Sequence, residues 1–313
     1  EGVDIRFIYD DFGSMFRTDK QLWNELETAG VKIGCFNPIH KYIAKLYLNY
    51  RNHQKIIVVD GNVCYTGGFN LADEYVNAIE RFGYWKDGGV RIYGPSVFGM
   101  TRIFLDMWGV TMHSNTEDYS RFRPDADFEA GDRFCQAICD GPLDAANKPI
   151  ESSLIQMIYN AQDFLYITTP YLVMDDSFSD ALCIQARSGI DVRLLIPGIP
   201  DKKAVYELTK YNCGKLLENG VRVFVYTPGF VHNKNCVTRD MALVGSINID
   251  YRSFYLHFEC GAYMWDKELV EDIRADYEET FKVCHEMTYE EWKCRPAFTK
   301  LKQWVLNIFS ALM

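Results

Sequence analysis

The stretch His53-Gln54-Lys55-Ile56-Ile57-Val58-Val59-Asp60 is repeated in altered form later in the chain, and this repeat decides the fold. The second copy begins with His232-Asn233-Lys234. The first is followed by Gly67-Gly68-Phe69-Asn70 and the second by Gly245-Ser246-Ile247-Asn248. Because residues two apart on a strand share a face, we expect each histidine and lysine to project together. One His-x-Lys is weak evidence, but two copies at nearly equal spacing indicate one shared site.

The repeat extends over most of the chain. Further matching pairs are Gly2-Val3-Asp4-Ile5-Arg6 with Gly189-Ile190-Asp191-Val192-Arg193, and Ala29-Gly30-Val31-Lys32-Ile33 with Asn219-Gly220-Val221-Arg222-Val223. Four matching segments in the same order predict two homologous halves, residues 1–120 and 121–313. In both halves, strand-like runs alternate with helical patterns. This alternation predicts an α/β fold in which helices cover a mixed sheet.

The second half contains one additional block. A helix, a strand and a helix at 152–161, 164–169 and 178–188 precede its copy of residues 2–6. The first half has nothing ahead of Glu1 to match this block. The duplication therefore predicts that about 40 residues, an outer strand and its helices, are missing from the front of the first half.

The composition excludes several function classes. The formal net charge is −10 and the pI is near 5.2, which argues against a nucleic-acid partner, because such proteins need a basic face. The ten cysteines follow no disulfide or zinc spacing and are expected to be free thiols in a reducing compartment. No apolar run reaches the roughly 20 residues of a membrane-spanning helix, and no signal peptide is visible.

The two motifs offer the groups needed to handle a phosphodiester. Imidazole suits nucleophilic attack and proton transfer near neutral pH. Lys55 and Lys234 supply positive charge, so we expect neither a metal nor a cofactor. The glycines precede a helix-like run at 71–80, whose N-terminus would face the same place and bind phosphate. The expected phosphate-binding residues are Gly68, Asn70, Ser246 and Asn248.

The pattern His-x-Lys-x4-Asp-x6-Gly-[Gly/Ser]-x-Asn resembles the signature of the phospholipase D superfamily. Within that superfamily, residues 66–75, 168–171, 226–230 and 257–261 resemble bacterial cardiolipin synthases. The resemblance implies two phospholipase D-like α/β-sandwich halves that share one active-site cleft. It also implies phosphatidylglycerol and anionic membrane lipid as partners, and a location at the cell membrane. The N-terminal membrane helices usual in those synthases are absent from this chain.

The resemblance also implies a mechanism. His53 attacks the phosphorus of one phosphatidylglycerol while His232 protonates the departing glycerol, and a phosphatidyl-histidine results. His232 then activates a hydroxyl of a second phosphatidylglycerol, and cardiolipin forms. Carboxylates at the positions of Asp87 and Glu259 fix the imidazole tautomers. For Asp87, simple surface exposure is an open alternative, whereas Glu259 lies in an apolar run where an unpaired carboxylate is costly.

The second motif departs from the signature. Twelve steps separate Lys55 from Gly67, but eleven separate Lys234 from Gly245. The slot held by Asp60 in the first motif falls on Thr238 or Arg239 in the second, with Asp240 just beyond. In the superfamily this aspartate mainly braces a turn. Either Asp240 replaces it through a shortened hairpin or the brace is lost.

Two rival functions fit the same motifs. A phospholipase D-type hydrolase would transfer the phosphatidyl group to water, and the motifs do not distinguish that outcome from transfer to an alcohol. A non-catalytic lipid-binding relative would carry a decayed second motif. A nuclease is disfavoured by the acidic balance.

The C-terminal residues 298–313 have helical periodicity. One face carries Leu301, Trp304, Val305, Ile308, Phe309 and Leu312. Two interpretations stay open: a terminal helix docked on the core, or an interfacial helix that dips into a bilayer.

Overall fold

The computed structural model describes residues 2–15, 18–39, 46–114, 118–125, 128, 131–143 and 148–310. Its α-helices are α1 (Asp11–Ser14), α2 (Lys20–Thr28), α3 (Val97–Met112), α4 (Pro149–Asn160), α5 (Asp176–Arg187), α6 (Lys203–Glu218), α7 (Tyr251–Tyr255), α8 (Lys267–Phe281), α9 (Tyr289–Lys293) and α10 (Ala297–Ile308). Its strands are β1 (Arg6–Asp10), β2 (Lys32–Phe36), β3 (Arg51–Asn52), β4 (Ile56–Val59), β5 (Val63–Gly67), β6 (Tyr84–Lys86), β7 (Gly89–Tyr93), β8 (Phe134–Asp140), β9 (Phe164–Thr168), β10 (Leu172–Val173), β11 (Asp191–Pro197), β12 (Arg222–Tyr226), β13 (Gly229–Val231), β14 (Asn235–Thr238), β15 (Ala242–Gly245), β16 (Ile249–Asp250), β17 (His257–Trp265) and β18 (Cys284–Met287).

The second half is built around a large mixed sheet, as the alternating pattern predicts. The strand order is β18-β12-β11-β9-β14-β15-β17, and β8 pairs with β17. β9, β11 and β12 run parallel, whereas β14, β15 and β17 are joined antiparallel. Helices α4, α5 and α6 contribute apolar residues to one core cluster with this sheet. The predicted α/β fold is confirmed.

The first half contains two smaller sheets, the parallel pair β1-β2 and the antiparallel set β4-β5-β7. In the second half, β9 lies between β11 and β14 and bonds to both. β9 is the second-half counterpart of the strand that is predicted to be missing from the first half. That strand was expected at the outer edge of the sheet, but β9 is internal, so this part of the prediction was wrong. By the repeat, β1 corresponds to β11. Among the described residues of the first half, no strand occupies the position of β9 between the two sheets.

The two halves share a core and exchange strand contacts. One apolar cluster combines Cys64 and Met100 of the first half with Tyr166 and Val244 of the second. β3 pairs parallel with the start of β17, and β6 pairs parallel with β13. Each of these short pairings joins a strand from one half to a strand from the other. The division near residue 120 stays a prediction, because the shared core gives no clean boundary.

The C-terminal helix docks in an unexpected orientation. In α10 the one buried residue is Gln303, while the apolar face, including Trp304, is exposed. The helix therefore contacts the body through its polar side. No helix among the described residues has the length and apolarity needed to cross a membrane. All ten cysteines are free thiols.

Candidate active site

His53 lies in a three-residue break between β3 and β4 rather than on a strand. The expected strand is interrupted because β3 bonds to the second half before the chain turns into its own sheet. The His53 backbone N–H donates to Phe258 O at 3.0 Å, extending the β3-β17 pairing by one residue. This contact places the imidazole beside Glu259, and His53 Nδ1 lies 2.9 and 3.0 Å from the two carboxylate oxygens.

His232 is held in the same way by the opposite half. It follows β13, which pairs with β6, and its backbone N–H donates to Lys86 O at 2.7 Å. His232 Nδ1 lies 2.8 Å from Asp87 Oδ2. The carboxylates therefore pair crosswise, since each histidine is oriented by a carboxylate from the other half. A carboxylate at Nδ1 fixes the tautomer and leaves Nε2 for chemistry.

Glu259 is fully buried and satisfied by several donors. The Ser246 hydroxyl donates to Oε2 at 2.5 Å, and the Ser253 hydroxyl donates to Oε1. Burial raises the carboxyl pKa, but the combined attraction of His53 and His257, together with the hydrogen bonding of His53, outweighs it and holds the pKa of Glu259 well below its usual value. Ser246 was expected to bind phosphate. In the structure its hydroxyl orients the carboxylate instead, because Glu259 on β17 lies across from the end of β15.

Asp87 is also enclosed by donors. Its oxygens accept from Gly88 N at 2.9 Å and from Trp85 Nε1 at 3.3 Å, besides His232. Burial raises the carboxyl pKa, yet the hydrogen bond from His232 and its charge outweigh this and lower the pKa of Asp87. The open alternative of surface exposure does not hold, since only 6% of the Asp87 side chain is exposed.

Gly68 permits the close approach of the two halves at this point. A Cβ on Gly68 would lie 2.3 Å from Asp87 Oδ1 and 2.7 Å from His232 O, closer than any side chain can pack. Its backbone N–H donates to Gly88 O at 3.0 Å. The prediction that this N–H binds phosphate was therefore wrong, because the group is already bonded within the chain.

The two lysines repeat one local geometry. Lys55 Nζ donates to His53 O at 2.7 Å, and Lys234 Nζ donates to His232 O. An ammonium has three donors, so each keeps N–H groups for a ligand. Burial lowers the pKa of Lys55 to about 8 and that of Lys234 to about 7, against the pull of neighbouring carboxylates. An anionic ligand would therefore stabilise the charged form of both lysines.

The electrostatics join the two motifs into one site. Burial lowers the pKa of both histidines to about 3, so both imidazoles are neutral at pH 7. Lys55 of the first motif contributes to the lowered pKa of His232 in the second, and Asp87 raises the pKa of Lys55. These interactions require the two motifs to be close in space.

The two asparagines of the repeat occupy different surroundings. Asn70 is exposed and donates from Nδ2 to Tyr75 OH at 2.6 Å. The helix expected over 71–80 is a short 3-10 turn at Asp73–Val76, which offers no long helix N-terminus. Asn248 is buried, and its Oδ1 has no hydrogen-bond partner among the described residues. Asn248 remains the better phosphate-binding candidate of the two.

Asp60 and Asp240 both lie in exposed hairpin turns, so neither is placed to take part in catalysis. Asp60 has a left-handed φ of 52° in the loop that joins β4 to β5. Ile56 pairs with Thr66 in the first hairpin, and Asn235 pairs with Val244 in the second. In both copies the residue after the lysine faces the residue before the first glycine. The second motif is one residue shorter only in the turn of the hairpin. The end of the hairpin that carries the lysine and the glycines keeps the same register in both copies.

Several site residues were missed by sequence reasoning. His257 lies two residues before Glu259 on β17, and its Nδ1 is 3.6 Å from Glu259 Oε1. That nitrogen is buried without a hydrogen-bond partner among the described residues. Around His232, three rings have centroids within 6 Å of the imidazole: Tyr75, Trp85 and Phe230. The alternation of strand faces could have identified His257 and Trp85, since each is two residues from a predicted carboxylate.

His53, His257 and Glu259 form a histidine–carboxylate cluster that the sequence did not reveal. Their potential ligand atoms lie within 4.8 Å of one another, a spacing that a metal ion could use. Both oxygens of Glu259 already accept hydrogen bonds from His53 and the two serines. These bonds assign Glu259 to the support of the His53 imidazole.

Comparisons with known proteins agree with this geometry. The family model described as "Cardiolipin synthase, PLD-like domain" matches residues 1–80 and 154–281. The chain is 40% identical over 318 residues to an uncharacterized protein of Streptococcus mutans, covering 100% of this chain and 68% of that protein. It is 39% identical over 317 residues to the major cardiolipin synthase ClsA of Bacillus subtilis, covering 100% of this chain and 65% of that protein.

A solved structure supports the fold across nearly the whole chain. Phosphatidylserine synthase of Haemophilus influenzae superposes with a TM-score of 0.73 at 13% identity, covering 99% of this chain and 80% of that one. At this identity the match concerns the fold. The chain spans 65% to 68% of the length of the two relatives from S. mutans and B. subtilis. Together, the repeat, the crossed dyads and these matches show that the chain belongs to the cardiolipin synthase family of phospholipase D-like proteins.

Proposed function

We propose that the chain transfers a phosphatidyl group from one phosphatidylglycerol to another, forming cardiolipin and releasing glycerol. The observation that carries this proposal is the crossed pair of histidine–carboxylate dyads, with two lysines beside them. A double displacement at phosphorus needs a nucleophile and a separate acid–base group, and two oriented imidazoles supply both. The relatives named cardiolipin synthases support cardiolipin as the product.

In the first step, His53 Nε2 attacks the phosphorus while Glu259 holds the proton on Nδ1. The bond from phosphorus to the glycerol oxygen breaks, and His232 Nε2 donates a proton to that oxygen. His232 must enter this step as an imidazolium. Asp87 and the bound phosphodiester anion both favour that form, opposing the burial that lowers the pKa of His232.

In the second step, neutral His232 accepts a proton from the terminal hydroxyl of a second phosphatidylglycerol. The oxygen attacks the phosphatidyl-histidine, the P–N bond breaks, and His53 is restored. Lys55 and Lys234 neutralise the equatorial phosphate oxygens in both steps, and Asn248 lies beside Ser253 to bind the same group. We assign the attack to His53 because 25% of its side chain is exposed, against 7% for His232.

The reaction places the chain at the cell membrane, since phosphatidylglycerol is a bilayer lipid. A hydrolase would differ only in the acceptor. A non-catalytic relative is disfavoured by the second hairpin, which keeps the register of the first despite its shorter turn.

The proposal is tested with phosphatidylglycerol labelled in its phosphate and in its headgroup glycerol, presented in detergent micelles, with products separated by chromatography. Cardiolipin with an equal amount of free glycerol is expected. The matched control for the variants His53→Ala and His232→Ala is His285→Ala, since His285 is an exposed histidine paired with Glu291. Phosphatidic acid as the sole product would replace the transferase with a hydrolase. Folded protein without any product would contradict an enzymatic function.

A further inference from the structure

The helix α10 is attached to the rest of the chain through its polar side. Gln303 is fully buried, donates to Glu207 Oε2 at 2.8 Å and accepts from Arg295 Nε at 2.7 Å. Lys302 Nζ lies 3.6 Å from Glu207 Oε1. These contacts with α6 set the rotation of α10 about its own axis. The apolar stripe is therefore directed away from the body by specific polar contacts.

The outward stripe of α10 is large and continuous along the helix. Its side chains are between 42% and 79% exposed: Phe298, Leu301, Trp304, Val305, Ile308 and Phe309. An amphipathic helix that only completes a core buries this face, so the observed orientation is the reverse of ordinary docking. A contiguous exposed apolar surface of this kind marks a place of interaction.

A second apolar surface borders the active-site cleft. In the segment 71–84, four large side chains are between 56% and 80% exposed: Leu71, Val76, Ile79 and Tyr84. Tyr75 of this segment and Trp85, which directly follows it, point inward, with ring centroids 5.2 and 5.1 Å from the imidazole of His232. The apolar rim formed by residues 71–84 thus lies directly over one wall of the catalytic site.

The segment that leads into α6 connects the rim to α10. The half-exposed Ile199 lies against Gly83 of the rim, where a Cβ would be 3.1 Å from Ile199 Cδ1. Eight residues later, Glu207 in the first turns of α6 holds Gln303 of α10. One short path of chain therefore links the two apolar surfaces.

The charge around α10 is opposite to that of the whole chain. Residues 293–313 contain four basic residues and no acidic residue, whereas the chain as a whole carries −10. The basic residues are Lys293, Arg295, Lys300 and Lys302. Lys300 and Lys302 are exposed beside the apolar stripe. Exposed Trp and Phe next to lysines is the composition of a helix that lies in the interface of an anionic bilayer.

We propose that the outer face of α10 and the apolar rim formed by residues 71–84 together seat the chain on an anionic phospholipid bilayer. The proposal deepens the proposed function, on which it rests, by naming the surface that meets the substrate-bearing membrane. α10 supplies affinity and charge recognition. The rim brings the mouth of the cleft to the lipid surface, so that a phosphatidyl headgroup can reach the histidines without leaving the interface.

The test measures binding separately from turnover. Co-sedimentation with phosphatidylglycerol vesicles and with phosphatidylcholine vesicles is measured for the full chain carrying His53→Ala, which cannot turn over lipid. Adding Leu301→Ser, Trp304→Ser and Ile308→Ser should weaken binding to phosphatidylglycerol vesicles at least tenfold. Adding Val76→Ser with Ile79→Ser instead should weaken this binding to a smaller extent. The control is Val110→Ser with Phe134→Ser, which alters equally exposed apolar residues elsewhere.

The outcomes are distinguishable because all the altered side chains are exposed and unchanged thermal unfolding verifies the fold. If the α10 variant binds vesicles as tightly as the control variant does, the proposal is overturned. A dimer that dissociates in the α10 variant, with vesicle binding intact, would assign the face to a second copy of this chain and also overturn it. In the His53-containing protein, the α10 variant should lose turnover on vesicles and keep turnover in micelles. If vesicle binding depends on α10 but the protein shows no turnover in micelles, the proposed enzymatic function is contradicted and the proposed membrane-binding surface is not.

Discussion

The two histidine–carboxylate dyads share one plan and differ in their surroundings. Each imidazole follows a short strand paired with the opposite half and bonds a carboxylate from that half. His53 is a quarter exposed, whereas His232 is 7% exposed and packed among aromatic rings. The duplication has therefore kept the orientation of the imidazoles while changing access to them. The open dyad suits attack on phosphorus, and the enclosed dyad suits proton transfer.

A second difference lies two residues before each carboxylate. Trp85 Nε1 donates to Asp87 Oδ2 at 3.3 Å, and His257 Nδ1 lies 3.6 Å from Glu259 Oε1. Both rings reach the carboxylate because residues two apart on a strand share a face. Trp85 is a permanent donor, while His257 donates only when a proton is on Nδ1. The support of Glu259 by His257 therefore depends on the tautomer of His257, whereas the support of Asp87 by Trp85 does not.

Removing either histidine should have the largest effect on activity. His53→Ala and His232→Ala should each lower kcat for cardiolipin formation by about 10⁴-fold, because each removes a group that reacts directly. Chromatography of labelled products measures the loss. With a phosphatidyl ester of a good leaving group, such as p-nitrophenol, His232→Ala should regain the first step and release one equivalent of p-nitrophenol in a burst, whereas His53→Ala should not. Equal rescue of both would contradict the division of roles.

Changing the carboxylates tests whether the crossed pairing orients the imidazoles. Glu259→Gln and Asp87→Asn should each reduce kcat by about 10²- to 10⁴-fold with little change in KM, because an amide disfavours the reactive tautomer. Glu259→Gln should also lower Tm more, since the carboxylate is fully buried and accepts from Ser246 and Ser253. Kinetics and thermal unfolding of the two variants check this order. A Tm loss confined to Asp87→Asn would reverse it.

The buried lysines predict a pH-dependent stability. Burial lowers the pKa of Lys234 to about 7, far below its value in the unfolded chain. Between the two pKa values the unfolded state binds more protons, so the free energy of unfolding rises with pH through this window. Lys234→Met removes the effect, so wild type should gain on the order of 2 kcal/mol relative to the variant between pH 7 and pH 9.

Urea unfolding of both proteins at the two pH values measures this gain. The change in the free energy of unfolding between the two pH values is compared for wild type and variant. The variant loses the hydrogen bond to His232 O at both pH values, so this loss cancels. Parallel curves would show that Lys234 keeps an ordinary pKa. Lys55→Met should give a smaller gain in the same window, because the pKa of Lys55 is lowered only to about 8.

The two rings that flank the carboxylates should have modest effects of similar size. Trp85→Phe removes the indole N–H that donates to Asp87 Oδ2, and His257→Phe removes the imidazole beside Glu259. Each should lower kcat by about tenfold or less, because each ring acts on a carboxylate and not on the reacting phosphorus. Steady-state kinetics of the two variants measure the loss, with thermal unfolding as a check on the fold. A loss in either variant above about a hundredfold would contradict an indirect role for that ring.

The smallest effect is expected in the two hairpin turns. Asp240→Ala should leave kcat within about twofold of wild type, because exposed surface substitutions rarely alter a distant site. Asp60→Ala should destabilise the fold slightly, since its left-handed φ of 52° favours aspartate over alanine. Activity and Tm of both variants are the measurements. A loss of activity in Asp240→Ala above tenfold would restore a catalytic role to the second aspartate.

Much of this architecture is present in the sequence because a duplication makes it visible. The repeat predicts the halves, the histidines and the lysines, and the strand–helix alternation predicts the large sheet. The crossed pairing is not readable from the repeat, since it depends on β3-β17 and β6-β13 contacts between residues far apart in sequence. The roles of Ser246 and Gly68 follow from the same long-range packing.

The orientation of α10 also lay beyond sequence reasoning. The periodicity identifies an apolar face, but a single buried glutamine, Gln303, determines which side of the helix meets the body. Helical periodicity reports the existence of an amphipathic face and not its partner. The shortened second motif is a similar case, since only the strand register shows that the lost residue belonged to the turn.

The most direct test of the central claim is the location of the covalent intermediate. His232→Ala is mixed with phosphatidyl-p-nitrophenol, quenched in alkaline denaturant that preserves a P–N bond, digested and analysed by mass spectrometry. The account predicts a stoichiometric burst of p-nitrophenol and a phosphatidyl group on the peptide that contains His53. A burst absent from this variant, or an adduct on any other residue, would contradict it.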